Sequence, residues 1–377
     1  MAAEQMTPYE SRQMRRRRCR LMCLYGCLHA CRLRDLVINN VAFKPPSRRG
    51  YAIDKYGTFL LKKGHGPHTG VSSTLGLYGI DLFHTFLRGA RNQRISVIVM
   101  RHRPRSGDEE EDDEPRVRED RELIVFSHGN STDIGYMFTA YVNLCKVHDV
   151  DLLAYDYSGY GLSDGSPGER VIYENIEAVY EYARRKLKVL PEHIVLYGNS
   201  LGSAPSCYLA SMPEKYPIGG LVLDAPLASA IRLQVGHVAY TPKFDAFTNV
   251  EYLKTKSLYP TLIIHGTVDS VIPVQQAREL AFVVEVRHAE LMQKQDEQVT
   301  DLTESDDAGR LSPSDYGKRG YIELTRTPED YLRTWWVPGA GHNNIQVDNM
   351  TTYNRNLDIF FKICRRWRND RKLKMQR

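Results

Sequence analysis

No stretch of the 377 residues approaches the roughly 20 consecutive apolar side chains that a membrane-spanning helix needs, although 42% of the chain is hydrophobic. That content suffices for one large core with tails and insertions. Cysteine is sparse. Of seven, Cys19, Cys23, Cys27 and Cys31 lie close together, and Cys145, Cys207 and Cys364 are scattered. This is a poor disulfide framework and suits a reducing compartment. The C-x₃-C repeats lack the spacing of a zinc knuckle, so no metal is expected. No nucleic-acid recognition motif is present either, and nucleic acid is not an expected partner.

Charge of one sign is not lacking but is unevenly placed. Residues 1–40 hold eight Arg against three acids, and residues 364–377 hold seven Lys/Arg against Asp370. The net charge of +5 therefore combines two basic ends with an acidic body. Basic ends are drawn to anionic surfaces. Arg15 to Arg18 precede an uncharged run from Leu21 to Cys31 that resembles the start of a signal peptide. The run is short, cysteine-laden and broken by Gly26, which argues against secretion.

Short apolar runs mark buried strands at 95–100, 123–126, 151–155, 194–197, 221–223, 262–264 and 332–337. Ile172, Ile176, Val179, Tyr180 and Ala183 recur at helical spacing and predict an amphipathic helix over 169–188. Strands alternating with helices imply a mostly parallel sheet covered on both faces. The acidic segment 103–120 reads as a disordered loop, and 289–329 as a polar, mobile insertion. Segment 225–260 is short for an elaborate lid, so the lid is expected to be minimal.

Gly198-Asn199-Ser200-Leu201-Gly202 is a G-x-S-x-G sequence between a buried strand and a helical segment. That setting defines a nucleophile elbow of the α/β-hydrolase fold, in which a sharp turn exposes the serine hydroxyl and small neighbours let the chain pass close to itself. A serine needs a base, and the base an orienting acid, in the chain order Ser, acid, His. Asp269 follows the strand at 262–264, and His342 follows the last strand in a glycine-rich loop. Ser200, Asp269 and His342 are therefore the candidate catalytic residues, with Asp224 as the alternative acid. His128 and His265, each against a strand end, read as structural. The oxyanion hole calls for two backbone N–H donors. One is Leu201, and the other is Ser131, with Asn130 as the alternative.

Several blocks share a pattern: Phe126-Ser127-His128-Gly129-Asn130, Tyr155 to Gly161, Leu196 to Ser200, Phe244 to Phe247, Ile263 to Thr267, and Gly339 to Asn343, with Phe43-Lys44-Pro45-Pro46 upstream. Together they resemble the alpha/beta-hydrolase domain-containing protein 17 family, over about residues 41–288 and 329–363. The resemblance implies a membrane-associated protein depalmitoylase with Ser200, Asp269 and His342 as its triad. The chain departs from the family in the acidic loop, in the insertion at 289–329 and in the regular spacing of its N-terminal cysteines.

On a helix, Cys19, Cys23, Cys27 and Cys31 advance by about 40° per step and share a face. With the polybasic run they suggest S-acylation combined with attraction to anionic lipid, since one acyl chain alone anchors weakly. The expected organisation is a membrane-association segment over 1–40, a hydrolase domain over 41–363 with two insertions, and a basic tail over 364–377. The expected protein is a serine hydrolase on the cytosolic face of a membrane, without cofactor and monomeric, that removes S-palmitoyl groups from S-acylated proteins. Alternatives are a lipase or carboxylesterase, a peptidase, and an inactive membrane scaffold.

Overall fold

The computed structural model describes residues 19–375 apart from 25, 28–29, 31–32, 63–67, 72–74, 90, 104–120, 255–258 and 306–330. The apolar runs become strands. Six of them, β6 (Leu123–Ser127), β7 (Asp151–Tyr155), β8 (Ile194–Asn199), β9 (Gly220–Asp224), β10 (Thr261–Gly266) and β11 (Leu332–Val337), form a parallel sheet. A long antiparallel hairpin, β4 (Ile80–Arg88) and β5 (Arg94–His102), extends it past β7. The strand order is β11-β10-β9-β8-β6-β7-β5-β4. Upstream, β1 (Tyr51–Ile53), β2 (Phe59–Lys62) and β3 (His68–Gly70) make a small antiparallel sheet.

Alternate side chains of each strand enter opposite cores, which is why the strands read as continuous apolar runs. Leu123 and Val125 pack on one face with helices α3 (Glu169–Arg185), α4 (Ser203–Ala210) and the start of α7 (Val274–Ser305). Ile124 and Phe126 pack on the other with α2 (Ile134–His148), α8 (Ile345–Asp348) and α9 (Met350–Met375). Helix α1 (Arg34–Ala42) stands ahead of the sheets. The region between β9 and β10 contributes two short helices, α5 (Ala230–Val235) and α6 (Asn249–Tyr252), in keeping with a minimal lid.

The segments read from polarity alone fared differently. The boundary drawn at residue 40 falls inside α1. The acidic loop lies outside the described residues from 104 onward. Within the polar insertion α7 runs on to Ser305, because the Glu-, Gln- and Leu-containing stretch is made of good helix formers. The remainder, 306–330, lies outside the described residues. The basic tail also belongs in part to the body. Helix α9 continues to Met375, and its apolar stripe of Leu357, Phe360, Phe361, Cys364 and Trp367 is buried. Arg365 and Arg368 close on the carboxylate of Glu122, which is 1% exposed, at 3.2 and 3.1 Å. Counting charge cannot see this stripe, whose helical spacing carries on through the basic residues.

Candidate active site

Four loops at the carboxyl ends of the parallel strands converge, as ligand sites in such sheets do. The first is the turn from β8 into α4. Ser200 has φ of 51°, the left-handed region that costs a non-glycine residue about 1–3 kcal/mol. Its surroundings hold it there. Ser203 Oγ donates to the Ser200 carbonyl at 2.7 Å, and Asn249 Nδ2 donates to Ser203 Oγ at 3.1 Å and to the Leu227 carbonyl at 2.8 Å. The glycines flanking the turn have no room to spare: a Cβ on Gly202 would lie 1.9 Å from the Ser127 carbonyl oxygen.

The loop after β11 brings His342 to Ser200, with Nε2 3.0 Å from Oγ. Asn344 Oδ1 accepts the Gly341 N–H at 2.7 Å and shapes that loop. On the far side of the ring, His342 Nδ1 lies 2.7 Å from Asp269 Oδ2. Asp269 stands in the loop after β10, where its Oδ1 accepts the N–H groups of Val271 and Ile272, both at 2.8 Å. Burial pushes this carboxyl upward, but hydrogen bonds from His265, His342 and the Ile272 N–H outweigh it and hold the group well below the usual carboxylate range. An ionised Asp269 requires a donor at His342 Nδ1, leaving Nε2 to accept the Ser200 proton. The chain Ser200–His342–Asp269 spans 142 and 73 positions of sequence and closes only in three dimensions.

Asp224, the alternative acid, is engaged elsewhere. Its Oδ2 accepts from Tyr197 and Tyr353 at 2.9 and 3.3 Å, and burial pushes its carboxyl up. His128 is structural, with Nδ1 on the Gly129 carbonyl and its ring against Tyr157 and Tyr160. His265 does more than brace a strand end. Its Nε2 lies 2.8 Å from the Ile272 carbonyl and 3.3 Å from Asp269 Oδ2, so it helps to hold the carboxylate. Spacing within His265-Gly266-Thr267-Val268-Asp269 puts the two four residues apart, and that signal was available in the sequence.

The loop after β6 separates Ser131 from Asn130. Ser131 is exposed, at φ of 57°, and its N–H donates to Asn130 Oδ1 at 3.1 Å. Asn130, together with Ser200 and Leu201, lines an apolar cavity of about 260 Å³. The opposite walls come from Leu227, Leu233, Phe247 and Ile272 and, unforeseen from the sequence, from α1. This is slightly below the usual range of small-ligand pockets, about 300–1,000 Å³. Among the described residues no cluster of His, Cys, Asp and Glu could hold a metal ion.

A family model described as alpha/beta hydrolase fold matches residues 122–245, from β6 through the turn carrying Ser200. The chain has the α/β-hydrolase fold. Alpha/beta hydrolase domain-containing protein 17C of Mus musculus is 36% identical over 196 residues, which are 52% of this chain and 55% of that protein. Protein 17B of Xenopus laevis is 40% identical over 193 residues, 51% of this chain and 60% of that protein. The chain thus spans little more than half the length of the curated relatives it matches. These are the proteins whose motifs the sequence resembles. Among solved structures, the Pyrococcus furiosus esterase Pf2001 aligns with a TM-score of 0.50 at 14% identity, over 80% of this chain and 97% of that one, a likeness of fold.

Cys19, Cys23 and Cys27 are exposed on residues with helical backbone, and Cys31 lies outside the described residues. Among the described residues, no helix is long and apolar enough to cross a membrane.

Proposed function

We propose that this α/β hydrolase is a serine hydrolase that cleaves S-acyl thioesters on membrane-associated proteins, with Ser200 as nucleophile, His342 as base and Asp269 as orienting acid. The observation that carries the reading is the 3.0 Å contact of Ser200 Oγ with His342 Nε2, with Ser200 lining an apolar cavity. In this mechanism Ser200 Oγ attacks the thioester carbonyl and its proton passes to His342 Nε2. The oxyanion is met by the backbone N–H groups of Leu201 and Asn130. Asn130 replaces Ser131 as the second donor in this reading, because Asn130 lines the cavity and the Ser131 N–H is already bonded. The carbon–sulfur bond breaks, the departing thiolate takes the proton from His342, and the acyl group remains on Ser200. His342 then takes a proton from water, whose oxygen attacks the acyl-serine. A fatty acid leaves and Ser200 recovers its proton.

Thioesters and oxoesters would use the same residues. The test compares kcat/KM for a palmitoylated peptide, a long-chain glyceride and a short peptide amide. The palmitoyl thioester is expected to lead by about tenfold or more. A glyceride that leads instead makes the protein a lipase or carboxylesterase, and a peptide amide that leads makes it a peptidase.

The proposed location is the cytosolic face of a membrane, through acylated cysteines and the basic run beside them. The exposure of Cys19, Cys23 and Cys27 supports it. Changing Cys19, Cys23, Cys27 and Cys31 together to Ser is expected to move the protein from the membrane to the soluble fraction of a cell lysate. Full retention on the membrane would exclude the cysteines as its anchor.

A further inference from the structure

Helix α1 is not part of either sheet, yet it reaches the nucleophile. Val37, Ile38, Val41 and Ala42 form one wall of the cavity that Ser200 also lines. Nine residues with no side-chain cap at Leu33 are too few to make a stable helix alone. Its position comes from what it touches. Arg34 Nε donates to the Phe244 carbonyl at 3.0 Å and its Nη2 pairs with Glu169 at 2.8 Å, while the same nitrogen reaches the Asp245 carbonyl. Asn39 Oδ1 accepts the Glu169 N–H at 3.2 Å. Just past the helix, Phe43 meets Phe247, itself a cavity residue, edge to face at 5.8 Å.

The carboxyl end of α1 is also tied to the loop after β6. Asn130 Nδ2 donates to the Ala42 carbonyl at 2.6 Å, and the Lys44 N–H donates to Asn130 Oδ1 at 2.9 Å. The helix that walls the cavity is therefore held in register with another residue that lines it. Ile38 is 7% exposed, whereas Val37 is half-buried and Val41 is 63% exposed. The wall thus runs from the cavity's interior out to solvent, as a path for an extended chain would.

We propose that α1 is the specificity wall of the site, and that Val37, Ile38 and Val41 set which acyl-chain lengths are accepted. The proposal rests on the reading of Ser200 as the nucleophile of an acyl hydrolase. A bulky side chain on this wall shortens the cavity without touching Ser200, His342 or Asp269, so it discriminates by length.

The experiment measures labelling rates with alkyl fluorophosphonates of two and sixteen carbons on the full chain. Wild type is expected to react at least about tenfold faster with the longer probe, about 1.4 kcal/mol of discrimination. Val37→Trp is expected to lower the ratio of long-chain to short-chain rates by at least about tenfold. An unchanged ratio in Val37→Trp, or no preference in wild type, overturns the wall. Because the ratio is internal to each variant, a general loss of active protein does not imitate the effect, and Val41→Phe repeats the test should Val37→Trp fail to fold. If neither probe labels wild type, the Ser200 reading falls by itself. The wall is then judged by binding of a fluorescent sixteen-carbon fatty acid. Val37→Trp must weaken that binding about tenfold, and an unchanged affinity overturns the proposal.

Discussion

Ser200→Ala and His342→Ala will each lower kcat/KM towards the best ester substrate by on the order of 10⁵–10⁶-fold, and the double variant will lose no more than either single one. In the proposed mechanism the two side chains act as one unit: an alanine at 200 leaves no oxygen to attack, and an alanine at 342 leaves a hydroxyl whose proton has nowhere to go. Asp269→Asn will cost less, on the order of 10⁴-fold. Asn keeps the volume but removes the charge that fixes the His342 tautomer across the 2.7 Å contact. Asp224→Asn will stay within about tenfold of wild type, since Asp224 bonds Tyr197 and Tyr353 and not His342. Steady-state kinetics on the five variants, with thermal melts to show that each is folded, measure all of this. Activity lost at Asp224 and kept at Asp269 would reverse the assignment of the acid.

Gly202→Ala will destabilise the fold by on the order of 3 kcal/mol or more, beyond an ordinary surface change. The new Cβ would meet the Ser127 carbonyl oxygen at 1.9 Å, its carbon at 2.5 Å and the His128 oxygen at 2.9 Å. All three are backbone atoms at the end of β6, the strand paired with β8 through Ser127 and Gly198. None can rotate away as a side-chain tip would, so the elbow must part from the sheet. Gly57 offers the contrast. It has φ of 83° with nothing within 4 Å of a Cβ, and its change to Ala will cost only the conformational penalty of about 1–2 kcal/mol. Urea denaturation of the two variants separates crowding from backbone strain. Equal losses would show that the close approach at Gly202 relaxes freely.

The parallel sheet and its helices were legible because burial on both faces writes itself locally, as apolar runs such as Leu123 to Phe126 and as the helical spacing of Ile172, Ile176 and Val179. The residues gathered at the candidate site were legible for a different reason. Strand-to-loop transitions after β8, β10 and β11 carry small residues and a single reactive side chain each, and the fold sends all those loops to one end of the sheet. Polarity misled where a helix has one apolar stripe among charges, as at the end of α9.

By itself, then, the sequence determined the strand-helix alternation and the order Ser200, Asp269, His342, since these follow from local pattern and chain order. Only the tertiary structure decided that Asn130 rather than Ser131 faces the cavity and that α1 supplies a wall. Each of these depends on which groups meet once the loops have converged. Asn130 and the Ala42 carbonyl are 88 positions apart along the chain. No periodicity records that meeting; it exists only when the packed sheet brings the two ends together.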